Sequence, residues 1–585
     1  MLPGSSTPQF PPCYPNASTF FLLTISRPVG RNFNFKMTIG GREDASTTEN
    51  TPLLATPDAE IDNKQDGRMT VVRTLSISIL MGILIFIQAT NISMITTTQS
   101  DIAADLDAFS EVTWFTSSFL IAMSSITPLG GRLSQIFSPR NYILGSSIVM
   151  AIGLLITSLA KTLWVFLLGR VVTGGGGAGI MATSIILVLE LSSKKRRGLF
   201  IGMVNAGFTT GVASGAVLAG AVTPHFGWRC IYWIQAPVSL VTGLLLFLAI
   251  PPRDSTDPSK SSLLQSLARV DYLGILTFTG SLVLLLFSLS STDIPITPLI
   301  LGALLFVSFL FVESKYSSEP IIPVTVLKTR SVLLTCFAGS GVMVARWAVL
   351  FYTPVYAIAV RGWSPASAGL ILVPTNAGFG LGGLLVGWIH IRKAGSYYIS
   401  CLIIYLLFTL ALLALTPLST STSNAAMYVA ATFFNGACTG ALLNYTLSHV
   451  LHLTTPDVHY IVTSLVALFR GLAGSVGSAV GGGLFTRVLK RSLETGFANN
   501  GIYRPDLVRQ LVGGPAFVRA LNGLEKQVAI HSYEEALRTL FLAGSALAFA
   551  MTVLQAGTGW NAPDSHLEEA SGRSDSVPER ASGEA

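Results

Sequence analysis

Charge is what this chain is short of. Only 11% of its 585 residues are Asp, Glu, Lys or Arg, against about 25% in ordinary soluble domains, and half are hydrophobic. That balance excludes a water-soluble globular protein and points to a polytopic membrane protein. Cysteine is scarce as well: Cys13, Cys230, Cys336, Cys401 and Cys438 have no pairable or metal-type spacing. This excludes a disulfide scaffold and a zinc site and leaves small buried residues. Acids deep within apolar segments are missing, since Asp101, Asp105, Glu190 and Glu313 all stand at segment ends, where solvated end-charges are expected. No apolar segment pairs a nucleophile with a histidine or an acid, which excludes an enzyme. The glycine run from Gly174 to Gly179 lacks the Gly-Lys-Ser/Thr ending of a phosphate loop, which excludes ATP hydrolysis. The net charge of +7 calls for no nucleic acid, because Lys and Arg gather in the connections.

What is there is a series of apolar segments, at 75–99, 112–131, 141–160, 163–190, 198–222, 228–250, 272–290, 296–312, 332–358, 366–389, 397–416, 426–450, 460–485 and 537–557. Each is long enough to cross about 30 Å of hydrocarbon as a helix, so an all-α protein with fourteen transmembrane helices is expected in a lipid bilayer. An even number puts both termini on one side. The short loops on that side carry fourteen Lys and Arg, including Lys194 to Arg197, against three on the other, Lys161, Arg229 and Arg361. The termini are therefore expected in the cytoplasm of a plasma or vacuolar membrane.

Five divisions follow: a polar, disordered tail over 1–73, six helices over 74–250, a linker with two extra helices over 251–331, six more helices over 332–558, and a disordered tail over 559–585. The connection 486–536 is polar, basic and partly helical in pattern and reads as an interfacial segment on the outer side. Within the first tail, Glu49, Leu53 and Leu54 form an acidic dileucine pattern of the kind that sorting adaptors read. The small-residue ladder Gly207, Gly211 and Gly215, with Gly220 a further packing candidate, recurs as Gly474, Gly477, Gly481 and Gly483, each ladder in the fifth helix of a run of six. Such ladders let helices approach closely in lipid, and two matching sets of six suggest an alternating-access carrier that holds its substrate between them.

Three motifs resemble the major facilitator superfamily. Gly131-Arg132-Leu-Ser-Gln135 to Arg140 resembles the gating loop between its second and third helices; Arg170 to Gly174 resembles its fourth-helix arginine motif; Gly211 to Gly220 resembles the fifth-helix motif of its antiporters. With fourteen spans, the chain is similar to the fungal fourteen-spanner drug:proton antiporters, a group that includes vacuolar basic amino-acid transporters and toxin and multidrug efflux pumps. The resemblance implies two six-helix halves with a two-helix insert, a small organic substrate, protons as coupling partner, a proton gradient as energy source and no cofactor. A monomer is expected. The chain departs from the pattern at Gln135 and at Asn91, each of which stands where the family carries an aspartate.

Charges and amides inside the spans are the candidates for substrate and coupling. Arg170, Arg346 and Arg470 are expensive to insert and should face a protein or water-lined interior. Gln88, Asn91, Asn205 and Asn435 could line a cavity or tie helices together, and Tyr352 stands near Arg346. The function these features suggest is export or sequestration of a drug, toxin or secondary metabolite by proton antiport. The alternatives are a vacuolar importer of basic amino acids, or a transporter-like nutrient sensor.

Overall fold

The computed structural model describes residues 71–191, 197–251, 271–291, 293–315, 329–390, 397–455 and 458–559. Residues 1–74 form one unit, almost wholly outside these ranges, and the bundle from Leu75 onward forms another. The dileucine pattern at Glu49, Leu53 and Leu54 lies outside the described residues, as do Lys194 to Arg196.

Among the described residues the regular structure is entirely helical. In hydrocarbon a backbone must bond to itself, and helices do this within one segment. In chain order the helices are α1 Val71–Ser93, α2 Ile95–Asp105, α3 Val112–Phe137, α4 Pro139–Ser158, α5 Leu163–Leu191, α6 Arg197–Ala249, α7 Tyr272–Ser290 and α8 Ile296–Lys315. Then come α9 Arg330–Ala359, α10 Pro365–Gly369, α11 Leu372–Leu385, α12 Tyr398–Leu418, α13 Ala425–His452, α14 His459–Asn499, α15 Pro505–Gly513 and α16 Gly523–Ala556. Among the described residues, thirteen helices are long and apolar enough to cross a membrane. The expected fourteen depends on α6, whose regular path breaks at Gly227 (φ 74°, ψ 163°); its two limbs count separately only if each crosses. Leu276, Leu304, Val307 and Leu384 are more than 60% exposed, as a lipid-facing surface requires.

One buried apolar cluster joins residues of α1 to α6, from Ile77 to Ile250, and a larger one is built mainly from α9 to α16. Close helix contact holds each set together. A Cβ built on Gly176 would stand 2.5 Å from the Met150 nitrogen of α4, and one on Gly211 would stand 2.7 Å from both Ala89 Cβ and the Phe86 carbonyl of α1. Glycine is the residue that lets these backbones meet. Not every rung is tight: Gly207 has nothing nearer than 3.7 Å, and Gly481 meets Leu540 of α16 at 3.7 Å. Gly477 faces Val344 and Trp347 of α9.

The expected gating loop is helical. α3 continues through Phe137 and α4 begins at Pro139, so Ser138 (φ 68°) alone makes the turn. Proline at the first position of α4 fits this, because it needs no amide partner there. Glu313, expected to be a solvated end-charge, is only 4% exposed.

The larger correction concerns 486–536, which is packed protein. α14 and α16 run on past their apolar cores, with Leu489, Leu493 and Phe497 of α14 buried in the same cluster as Ala529 and Tyr533 of α16. Between them α15 and a 3₁₀ turn, Pro515–Ala520, form a strap across the end of the bundle where α2 packs on α6, here called the far face. On one side the Tyr533 hydroxyl donates to the Leu511 carbonyl. On the other, Arg509 pairs with Asp107 at 3.3 Å, Phe517 meets Phe109 edge-on at 5.8 Å, and the Ala516 amide donates to Ser100 at 3.3 Å. Leu511 and Val518 of the strap itself are buried against the bundle.

Candidate functional site

Arg170 projects from α5, where the glycines that follow it bring three helices close. It is 0% exposed and spends its whole guanidinium on oxygen. Nε donates to the Phe115 carbonyl of α3 at 2.9 Å, Nη1 to Asn91 Oδ1 at 3.2 Å and Nη2 to the Asn91 carbonyl of α1 at 3.1 Å. The Phe119 ring lies 4.7 Å from its charge. Asn91 in turn donates to Gln235 of α6 and to the Ile87 carbonyl. With three oxygens and a ring face, the buried charge is held without an acid.

Arg346 repeats this arrangement on α9. It is 3% exposed, and Nη1 donates to Thr375 Oγ1 at 2.5 Å and to Asn435 Oδ1 at 3.1 Å, while Nη2 reaches the Thr375 carbonyl at 3.3 Å. Each set of helices thus contains an arginine–asparagine clamp between its first and fourth membrane helices, completed by a carbonyl from the second. The residue types are exchanged: the asparagine is on α1 in one set and on α13 in the other, with the arginines on α5 and α9. Sequence reading named all four residues but paired none, since they lie 79 and 89 positions apart. Gln235 and Thr375 complete the clamps, and nothing in the local sequence marks them for it.

The two sets meet along a seam. Ser117 and Ser124 of α3 share hydrogen bonds with Ser478 (3.2 Å) and Ser475 (2.8 Å) of α14. Nearer the far face, Gly220 of α6 closes on Pro365, where a Cβ built on the glycine would stand 2.6 Å from the Pro365 carbonyl carbon. Between these contacts is a cluster of Ile92, Phe119, Leu120, Met123, Ala178 and Phe351, against which Ile126, Phe208, Trp347 and Tyr352 pack while remaining partly open. Trp347 stacks on Phe351 at 5.3 Å, and Tyr352 meets Phe485 at 4.4 Å. Gln88, buried beside this cluster, donates to Met123 Sδ at 3.1 Å, and its Oε1 has no partner among the described residues.

The remaining candidates fall elsewhere. Arg140 donates to the Phe247 carbonyl at 2.7 Å and lies over that ring, tying α4 to α6. Gly131 accepts from Ser134. Arg132, Gln135 and Asn205 lie in helices, with side chains outside the described set. Arg470, on α14, is partly buried and has no hydrogen bond or ion pair among the described residues.

A bundle of apolar helices in two sets, each braced by a buried clamp and meeting at an aromatic seam, has the build of a membrane carrier. The chain belongs to the Major Facilitator Superfamily, which its sequence matches over residues 81–478. It is 24% identical over 513 residues to the MFS-type transporter ppz2 of Metarhizium majus, covering 84% of this chain and 86% of that one. It is 26% identical over 354 residues to the efflux pump dotC of Dothistroma septosporum, covering 58% and 59%. Among solved structures it resembles a bacterial homologue of the human lysosomal transporter Spinster, with a TM-score of 0.57 and 16% identity over 84% of this chain and 97% of that one. The protein is a multi-pass membrane transporter of the major facilitator fold and not an enzyme.

Proposed function

We propose that the protein exports or sequesters a small organic molecule with an apolar, aromatic body, and that proton antiport drives it. The observation that carries the substrate class is the seam itself: Trp347, Tyr352 and Phe208 offer partly open rings, packed on buried Phe119 and Phe351, where the two sets of helices meet. Stacking and burial on such faces favour flat apolar compounds. A basic amino acid suits this interior poorly, because no carboxylate is among the partners of the Arg170 or Arg346 clamp and a cation there meets like charge in a low dielectric. Antiport is supported by the resemblance of Gly211 to Gly220 to the antiporter motif and by kinship with efflux pumps. The loop charges support both termini in the cytoplasm, in either the plasma or the vacuolar membrane.

The test is transport by purified protein in lipid vesicles, using a panel of polycyclic aromatic dyes with and without an imposed proton gradient. Dye movement that needs the protein and accelerates with the gradient is the expected result. Movement indifferent to the gradient removes antiport, and no movement of any dye removes the substrate class.

A further inference from the structure

The three arginines inside the bundle are not equivalent. Arg170 and Arg346 each make three hydrogen bonds to protein oxygens, whereas Arg470 has no hydrogen bond or ion pair among the described residues. Its place on α14 is informative. Gly474 and Gly477, one and two turns on, share its face, and both abut Trp347. The adjoining carbonyl, Gly471, lies 3.4 Å from Ser124 Oγ of α3. Arg470 therefore stands at the seam, a turn from the indole that stacks on Phe351, and is partly open there.

A guanidinium at membrane depth needs acceptors, and one without a partner among the described residues is open to an acceptor that arrives. We infer that Arg470 is the anion-recognition residue of the transport site, and that the substrate carries a carboxylate or similar planar oxyanion beside its aromatic body. The fork of donors suits a carboxylate in two-point contact, while the body lies against Trp347. This rests on the transporter reading for the location of the site and adds the charge of the substrate.

Equilibrium dialysis of the full-length protein in detergent, against naphthalene-2-carboxylate, naphthalene-2-carboxamide and 2-naphthylmethylammonium, tests it. The wild type should hold the carboxylate about tenfold more tightly than the other two, the worth of one charge-assisted hydrogen bond. Arg470→Gln should erase that preference, Arg470→Lys should keep part of it, and Arg470→Glu should turn it toward the ammonium. A reversal of preference cannot come from misfolding, so the charge swap decides even where another variant is unstable. Equal binding of the three probes to the wild type, including no binding of any, overturns the inference, as does an unchanged preference in Arg470→Gln. Vesicle uptake of the same probes separates the two claims: selective binding without transport would sink the carrier reading and leave the anion site standing.

Discussion

Asn91 and Arg170 show how a membrane interior holds a charge without an opposite one. The Asn91 side chain accepts from Arg170 and donates to Gln235, so one amide joins α5 to α6 through α1. Arg170→Ala removes the donor that Asn91 Oδ1 and the Phe115 and Asn91 carbonyls share. Transport is expected to fall to background while the protein stays in the membrane, measured as uptake per amount of membrane-embedded protein. Arg170→Lys keeps the charge but cannot match a three-way fork, and should lose at least about tenfold. Asn91→Asp gives a sharper outcome. The protonated form of the introduced acid copies the shape of the amide it replaces, so at acid pH the variant should approach wild-type uptake. As the carboxyl ionises with rising pH it becomes an ion pair with Arg170 and stiffens the α1–α5 contact, and uptake should fall across that titration where the wild type shows no matching change. Identical pH profiles for the two proteins would show that the clamp does not move during transport. These residues were legible one at a time, because a charge or amide in an apolar run stands out; their partnerships were not, because they depend on how helices far apart in sequence cross.

The α1–α6 crossing shows what a helix pattern reveals and what it hides. A four-residue spacing of glycines is plain in the sequence and announces close packing. Which rung is tight depends on where α1 crosses. At Gly211 even a methyl group would overlap Ala89 and Phe86, whereas at Gly207 the nearest atom is 3.7 Å away. Gly207→Ala should therefore leave thermal stability in detergent nearly unchanged. Gly211→Ala should lower it, and Gly211→Leu should lower it further, by the roughly 1–3 kcal/mol typical of overpacking. Equal melting of the Gly207 and Gly211 alanine variants would contradict the crossing described. The strap was misread for a related reason. Residues 486–536 have the composition of an interfacial segment, but the spacing of Leu489, Leu493 and Phe497 is that of a helix with a buried face, and their partners are on α16.

Taken as a whole, the molecule has two sets of helices joined by the chain through α7 and α8, and joined a second time by the strap. The ion pair in that second joint is exposed, with Arg509 at 47% and Asp107 at 77%, and such pairs contribute at most about 1 kcal/mol. The apolar grip is stronger: Phe517 lies against Phe109, and a Cβ on Gly513 would stand 2.5 Å from the Phe109 backbone. Arg509→Ala should thus leave the strap seated, while Phe517→Ala should release it, seen as faster cleavage after Arg519, a site both variants keep, by trypsin added to the far face. Equal cleavage of the two variants would place the grip elsewhere. Because the strap holds both sets, parting of the far face needs one end of it to peel away as well as the Gly220–Pro365 contact to open. That makes it a brake within reach of the aqueous side. An antibody fragment or cyclic peptide that pinned Phe517 in place would stall the cycle without entering the membrane, and no excess of substrate would relieve the block.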